Sequence, residues 1–335
     1  MRLFPDILQL FSASKPVRAL APETGGAGLE RRDGIIFNPQ NIEISAARHC
    51  NLTCRSCSHL SPLYRKSNAD IDSVSATLRL LARSYRARNC KILGGEPLLH
   101  PRLPQFVDAI RETGICDRII IATNGVLLPC MPAEFWARID EVMVSMYPGH
   151  ALDDETIRRL RETADAHGVK FDIGLVSNFR YAFSRTKNGS PHLVDRIFRT
   201  CKIAHVWRCH TVENGRFYRC PPSVFIPEAE ADPAAPSGRD GLPISDDPAF
   251  GDELWSFLTR AEPPDACANC LGTVGALHPH NQAPRQGWGE TSPPEFLVDM
   301  DYLADCERDI RASRPGSSRV TVDPGPRNGG DRTPG

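Results

Sequence analysis

The sequence predicts an α/β fold in which helices pack outside a parallel sheet. Short apolar runs of strand length recur along the chain, at residues 42–45, 91–93, 118–123, 141–147 and 170–176. Segments with apolar residues at helical spacing lie between these runs. Repeated strand–helix units of this kind are typical of parallel sheets. Periodicity leaves open whether the sheet is open or curls into a partial barrel.

Composition limits the classes of function. The chain has 335 residues, with 40 basic and 41 acidic side chains and a formal net charge of −1. This balance offers no charged surface for nucleic acid or an anionic membrane. No apolar run reaches the roughly 18 residues of a membrane span, and the first residues lack a signal-peptide pattern. We therefore expect a cytoplasmic protein without nucleic-acid or membrane partners.

The elements follow in order after an extension, residues 1–36, that we predict to be irregular. Apolar residues three or four positions apart indicate the helices: Val74, Leu78, Leu81 and Tyr85; Phe106 and Ile110; Ile157, Leu160 and Ala164. Gly114 and Gly168 lie where the second and third helices should end, since glycine is common just after a helix.

The character of the chain changes after residue 176. Residues 177–200 show little period, whereas CHTVENGRFYRC at 209–220 predicts a hairpin turning at Asn214 and Gly215. Residues 226–250 predict a long loop, and a short helix is expected near 252–260. His278, His280 and Trp288 lie in a loop whose sequence indicates no role. The tail, 313–335, is predicted to be disordered because it is almost free of apolar residues.

Cysteines are abundant for a chain without an export signal, which favours metal ligands over disulfides. They fall into three groups and four isolated residues: Cys50, Cys54 and Cys57; Cys201, Cys209 and Cys220; Cys267 and Cys270; and, singly, Cys90, Cys116, Cys130 and Cys306. We assign no function to the isolated ones.

The first group, in SAARHCNLTCRSCSHLSP, follows the first predicted strand. Loops at the carboxyl ends of parallel strands usually hold the chemistry of such folds. Three thiolates at C-x3-C-x2-C can bind three irons of a 4Fe–4S cluster and leave the fourth iron open. A zinc site completed by His49 or His59 is the alternative.

The cysteine loop, the KILGGEPLLHP stretch after the second strand and the ATNG at the end of the third together resemble the radical S-adenosylmethionine (SAM) superfamily. The resemblance implies SAM-binding roles for seven residues: Gly94, Gly95, Glu96 and Pro97 at the methionine ammonium, Thr123 and Asn124 at the sugar or methionine, and Ser145 at the ribose. Ser56 departs from the family, which usually has a larger apolar residue there, near adenine.

The resemblance also implies a partial (β/α)6 barrel and a defined chemistry. The open iron binds the amino and carboxylate groups of SAM, and a reduced cluster cleaves SAM to a 5′-deoxyadenosyl radical that abstracts hydrogen from substrate. A flavodoxin- or ferredoxin-type electron donor is implied as a partner.

The later cysteines resemble the SPASM or shorter twitch domains of this superfamily, which hold auxiliary clusters. The resemblance implies one auxiliary 4Fe–4S cluster on Cys220, Cys267 and Cys270 with either Cys201 or Cys209. The thiol left over is a hypothetical hydrogen-atom donor, and a zinc clip is the alternative to the cluster. The implied domains are a core at 37–200, an auxiliary domain at 201–285 and a helical segment at 286–312.

Auxiliary-cluster enzymes of this superfamily modify peptides or oxidise and epimerise sugars and aminocyclitols. Only about 40 residues precede the first strand, so we expect no precursor-recognition module. We therefore expect an oxidoreductase of secondary metabolism that oxidises or epimerises a sugar or aminocyclitol. A peptide-modifying maturase and a non-enzymatic iron–sulfur or zinc protein are the alternatives. No catalytic base is indicated.

Overall fold

A computed structural model describes residues 28–230 and 240–312, and a mixed sheet forms its centre. The strands are β1 (Glu30–Arg32), β2 (Ile35–Ala47), β3 (Tyr85–Gly94), β4 (Cys116–Thr123), β5 (Glu141–Met146), β6 (Lys170–Leu175), β7 (Asn178–Arg180), β8 (His210–Glu213), β9 (Arg216–Tyr218), β10 (Gly241–Pro243) and β11 (Leu277–Pro279). Strands β7 and β11 pair separately from the main sheet.

The main sheet has the order β10-β9-β8-β2-β3-β4-β5-β6, with β1 also paired to β2. Strands β8 to β6 along this order run parallel, and β1, β9 and β10 are antiparallel to their neighbours. The predicted α/β fold with a parallel sheet is confirmed. No pairing joins β6 to β8 in the described residues, so the sheet does not close into a barrel.

Helices connect and cover the strands. They are α1 (Ile71–Leu81), α2 (Leu103–Arg111), α3 (Ala133–Trp136), α4 (Asp154–Ala166), α5 (Pro191–Thr200), α6 (Lys202–His205), α7 (Pro222–Glu230), α8 (Phe250–Thr259) and α9 (Met300–Ala312). Leu78 of α1 and Phe106 of α2 are fully buried in one core with Ile92 and Ile121 of the sheet. Gly114 and Gly168 follow α2 and α4 with φ of +68° and +67°, as expected.

The first strand starts earlier than predicted. Asp33 and Gly34 have φ of 51° and 81°, a two-residue turn that joins β1 to β2. Residues 28–36 therefore form a hairpin and not an irregular extension. The sequence did not predict it because many of these residues are charged and they show no apolar pattern. The remainder of that extension, 1–27, and the predicted tail, 313–335, lie outside the described residues.

Other boundaries also needed correction. Tyr85 starts β3 instead of ending α1, because burial alternates from Tyr85 to Arg88 as in a strand. The stretch 177–200 contains α5, which begins after the Ser190 cap and buries Leu193 and Ile197. The end of helix α7 and strand β10 lie within the described parts of the predicted loop 226–250, and the helical parts of 286–312 are α9 and a short 3₁₀ helix at Pro294–Phe296.

The predicted hairpin is confirmed as β8 and β9, and it belongs to the main sheet. Asn214 and Gly215 form its turn with φ of 49° and 71°. Strand β8 pairs in parallel with β2, next to the first cysteine group. The division into domains at residue 200 remains a prediction. Within the residues that the structure describes, no helix is long and apolar enough to cross a membrane.

Candidate active site

The first cysteine group lies on the loop that leaves β2 at the carboxyl edge of the parallel strands. The thiols of Cys50, Cys54 and Cys57 are close enough to interact electrostatically. Burial, followed by these neighbours, raises the pKa of Cys54 to about 12. Burial likewise raises the pKa of Cys50 to about 12. Such thiols are protonated without metal and give up their protons to bind one.

The two glycines of the GGEP stretch allow the end of β3 to lie directly against this loop. Gly95 N donates to Ala47 O at 2.7 Å, and Glu96 N donates to His49 O at 3.0 Å. A Cβ on Gly95 would lie 2.1 Å from His49 O, and one on Gly94 would lie 2.1 Å from Ala47 O. Glycine is thus required at both positions for the backbone that precedes Cys50 to follow its path.

The Glu96 carboxylate is fully buried and bound by the protein. Thr123 Oγ1 and Asn124 N donate to it at 2.6 and 2.9 Å, and Leu98 N donates at 3.0 Å. Burial raises the pKa of Glu96 to about 7, against the effect of these hydrogen bonds. Glu96 therefore ties the TNG turn to the GGEP turn, which Pro97 continues. Its contact with SAM remains a prediction.

The TNG turn reaches the cysteine loop through Asn124. Its Nδ2 donates to Asn51 Oδ1 at 2.7 Å and to Cys50 Sγ at 3.7 Å. Ser145 lies half-buried near the end of β5, opposite Gly174 of β6. The structure therefore brings the three motifs to one edge of the sheet, with Ser145 near the end of the next strand.

A segment near the C-terminus, residues 277–290, lies over the cysteine loop, and we call it the strap. Arg55 N donates to Asn281 O and Ala283 N donates to Thr53 O, both at 2.9 Å. Gln282 Nε2 donates to Cys54 Sγ at 3.7 Å. The strap thus pairs with the backbone that carries the thiols.

Side chains of the strap fix the loop further. Trp288 Nε1 and Arg285 Nη2 donate to the carbonyl oxygens of Cys54 and Cys50, each at 3.2 Å. Glu290 receives two hydrogen bonds from the Arg55 guanidinium at 2.7 and 3.0 Å. Sequence reasoning missed these residues, because they form no motif and have no regular spacing.

Ser56, which departs from the family pattern, also meets the strap. Its backbone is left-handed, with φ of 62°. Its hydroxyl lies 2.9 Å from His278 Nε2, and the His278 ring lies 4.6 Å from that of Tyr181. At the position where the family usually has an apolar side chain, this chain therefore has a serine that makes a polar contact with the strap.

Four of the later cysteines surround a second site. Cys201, Cys220, Cys267 and Cys270 line one small cavity of about 20 Å³. Burial raises the pKa of each thiol, and the neighbouring thiols of the group raise it further for Cys220, Cys267 and Cys270. The structure thus brings together thiols from three separate segments of the chain.

Cys209 has different surroundings. Its thiol is buried beside the Glu43 carboxylate of β2, to which it is hydrogen-bonded. Burial, and then the Glu43 charge, raises its pKa well above the ordinary value. Of the two thiols left open by the sequence, Cys201 lines the cavity and Cys209 does not.

The spacing of these groups bears on which metal they suit. Among residues 28–230 and 240–312, no three Cys, His, Asp or Glu side chains are grouped closely enough to hold one metal ion. A zinc ion needs all of its thiolates at about 2.3 Å from a single point. A cubane cluster distributes its thiolates over four irons. Both donor sets consist of thiols, the ligand type that iron–sulfur clusters and structural zinc share.

Comparisons with known proteins agree with the sequence resemblance over part of the chain. No family model matches the chain. GTP 3′,8-cyclase of Chlorobaculum tepidum is 29% identical over 131 residues, 39% of this chain and 37% of that protein. A probable GTP 3′,8-cyclase of Methanococcus maripaludis is 28% identical over 168 residues, 47% of this chain and 54% of that protein. The chain thus spans from about a third to about half of the length of these relatives.

Solved structures give weaker likenesses. Native anSMEcpe with bound AdoMet and Kp18Cys peptide has a TM-score of 0.43 and 14% identity, covering 82% of this chain and 96% of that one. BtrN in complex with AdoMet and 2-DOIA has a TM-score of 0.38 and 17% identity, covering 69% and 92%. With TM-scores below 0.5, these likenesses do not by themselves identify a fold or a function. The curated relatives and the three core motifs agree with the resemblance to the radical SAM superfamily, which implies a 4Fe–4S cluster and SAM as cofactors.

Proposed function

We propose that the chain is an oxidoreductase that dehydrogenates a small polyol, a sugar or an aminocyclitol, with the help of an auxiliary 4Fe–4S cluster. The observation that carries this proposal is the convergence of four thiols on one cavity: Cys201, Cys220 and Cys270, which are buried, and Cys267, which is half-buried. Removal of two hydrogens from a carbinol requires an acceptor for the last electron, and a second cluster is such an acceptor. Cys209 is outside the ligand set in this proposal.

In the proposed reaction, Cys50, Cys54 and Cys57 hold the first cluster, and Gly94, Gly95, Thr123, Asn124 and Ser145 border the SAM site. When bound, the reduced cluster and SAM supply the radical that removes hydrogen from carbon. The protein fixes the cysteine loop between the GGEP turn and the strap. It thereby orients the reacting groups and excludes water.

The strap supports a small substrate over a peptide. Residues 281–283 pair with the cysteine loop, and Trp288 and Arg285 bind its carbonyl groups. These backbone groups are therefore already hydrogen-bonded and are not available to pair with an extended peptide. The named activity of the curated relatives, GTP cyclisation, is a further candidate for the shared core, and GTP therefore belongs in any substrate screen.

Metal content and product mass test this proposal. We expect about eight irons per chain after anaerobic reconstitution, and about four in a Cys50→Ala/Cys54→Ala/Cys57→Ala variant or in a Cys220→Ala/Cys267→Ala variant. Cys209→Ala is the matched control and should keep the full iron content. One zinc with about four irons would make the later thiols a structural clip and remove the electron acceptor.

The substrate is tested separately. Reconstituted enzyme with SAM and a low-potential reductant, or a flavodoxin as the donor, is given inositols, 2-deoxystreptamine, GTP or peptides. A polyol product lighter by two hydrogens supports dehydrogenation. An isomer of unchanged mass would show epimerisation, and turnover of GTP or peptide alone would overturn the proposal.

A further inference from the structure

His280 lies beside the cysteine loop, at the carboxyl edge of the sheet. Its side chain is only 8% exposed, and its backbone N donates to Ser177 O at 2.9 Å. The imidazole stacks on Tyr147, with ring centroids 4.6 Å apart, and meets Phe179 edge-on at 4.9 Å. Two aromatic rings therefore hold the imidazole in one orientation.

Both ring nitrogens of His280 are buried, yet neither has a hydrogen-bond partner among the described residues. A buried polar group without a partner costs free energy, so such groups are rare unless something else satisfies them. His278, two residues earlier, is a direct contrast, because its Nδ1 lies 2.9 Å from Pro279 O and its Nε2 lies 2.9 Å from Ser56 Oγ. His280 is thus positioned to meet a ligand.

The position of Tyr147 connects this imidazole to the reaction centre. Burial raises the pKa of Tyr147, and the next contributions come from the thiols of Cys54, Cys57 and Cys50. Tyr147 therefore lies within electrostatic range of all three thiols of the first group. His280, stacked on Tyr147, therefore lies on the same side of the fold as the groups that would hold the first cluster.

We propose that His280 accepts the proton of the substrate hydroxyl during dehydrogenation. This inference rests on the proposed function. Oxidation of a carbinol to a ketone removes a hydrogen atom from carbon, a proton from oxygen and one further electron: the SAM-derived radical takes the hydrogen atom, His280 takes the proton and the auxiliary cluster takes the electron. Phe179 and Tyr147 hold the ring for this role.

The charge state of His280 suits a proton acceptor. Burial first, and then His150 and His278, lower the pKa of His280 below the usual 6.5. The titratable side chains that face it are Tyr147 and His150, which follow β5, and His278 of β11, which directly precedes His280 in the strap. Since the pKa of Tyr147 is raised, that phenol is neutral and brings no charge near the ring. The imidazole is therefore neutral near pH 7 and free to accept a proton.

The test uses the reconstituted enzyme, a polyol substrate from the screen deuterated at its carbinol carbon, and the variant His280→Gln. Glutamine keeps a polar side chain of similar reach but cannot take up the proton. We expect ketone formation to fall by about a hundredfold or more, the usual contribution of a general base. Deuterium should still pass into 5′-deoxyadenosine, because hydrogen abstraction precedes the step that is lost. His167→Gln, at an exposed histidine after α4, is the matched control and should behave like wild type.

A second readout does not depend on turnover. In unreduced enzyme with labelled histidines, the His280 resonance, assigned from its loss in His280→Gln, should titrate below pH 6.5 and shift when 2-deoxystreptamine is added. A resonance that ignores this probe, or ketone formation within threefold of wild type in His280→Gln, would overturn the role of His280. A wild-type enzyme that yields no ketone from any polyol would instead overturn the proposed function.

Discussion

Replacing Gly95 by alanine should damage the cysteine loop more than its size suggests. The added methyl group would lie 2.1 Å from His49 O and 2.8 Å from Cys50 N. Ordinary contacts between carbon and oxygen are no closer than about 3.3 Å, so the backbone would have to open by roughly 1.2 Å. The displaced atoms belong to the residue before the first cysteine and to that cysteine itself.

The expected cost follows from what the opening breaks. Two hydrogen bonds join the GGEP turn to the loop, Gly95 N to Ala47 O and Glu96 N to His49 O. Each contributes about 1 kcal/mol, and forcing a group into a packed site costs about 1–3 kcal/mol more. We therefore expect Gly95→Ala to lower the free energy of unfolding by about 3–5 kcal/mol.

Gly114→Ala provides a matched control. Gly114 has φ of +68° and nothing within 4 Å of an added Cβ. Its substitution should cost only the left-handed backbone penalty of about 1–2 kcal/mol. Urea unfolding gives the two free energies, and iron analysis after reconstitution shows whether Gly95→Ala loses the first cluster, about four irons. If the two variants match in unfolding midpoint and iron content, the close approach of the two turns does not matter.

Two further predictions concern the strap and a buried histidine. Trp288→Phe removes the donor to Cys54 O, which should lower the free energy of unfolding by about 1 kcal/mol. It should also speed the loss of iron to a chelator. An unchanged rate of iron loss would show that the strap does not stabilise the cysteine loop. Burial, followed by the Arg219 charge, lowers the pKa of His205 to about 3, so between pH 6.5 and 3 the unfolded chain binds a proton that the folded chain does not. The free energy of unfolding should therefore fall on acidification by up to about 1.4 kcal/mol per pH unit. The urea midpoint of His205→Gln should fall less steeply below pH 6.5 than that of the wild type. Equal slopes for the two proteins would contradict this.

The sequence predicted the parallel sheet and the core motifs because both depend on local patterns. A buried parallel strand is visible in the sequence as a short apolar run. A glycine just after a helical pattern likewise indicates the end of the helix, whatever the rest of the chain does. The predicted boundaries of helices and strands were wrong where two sequence patterns overlap. Tyr85 continues the spacing of α1 and also begins the alternation of β3, and only the packing of the sheet decides between them.

The choice between Cys201 and Cys209 had no local signal. Both cysteines precede Cys220 at spacings that are compatible with a shared metal site. Cys201 lies between α5 and α6 and lines the cavity, whereas Cys209 directly precedes β8 and is hydrogen-bonded to Glu43. The strap was missed for a similar reason, since the polar contacts of Gln282 and Trp288 exist only once distant parts of the chain have met.

The two thiol groups are connected through hydrogen bonds between neighbouring stretches of backbone. Phe183 pairs with Cys270 of the second group, and Arg185, two residues later, donates from its backbone N to Glu290 O at 2.8 Å. The Glu290 carboxylate in turn binds Arg55 in the cysteine loop. Electron transfer and hydrogen abstraction both depend on fixed positions of the reacting groups. Because only the Glu290 carboxylate binds Arg55, Glu290→Ala should loosen the cysteine loop, whereas the Glu290 carbonyl would still receive the hydrogen bond from Arg185 N near the second group.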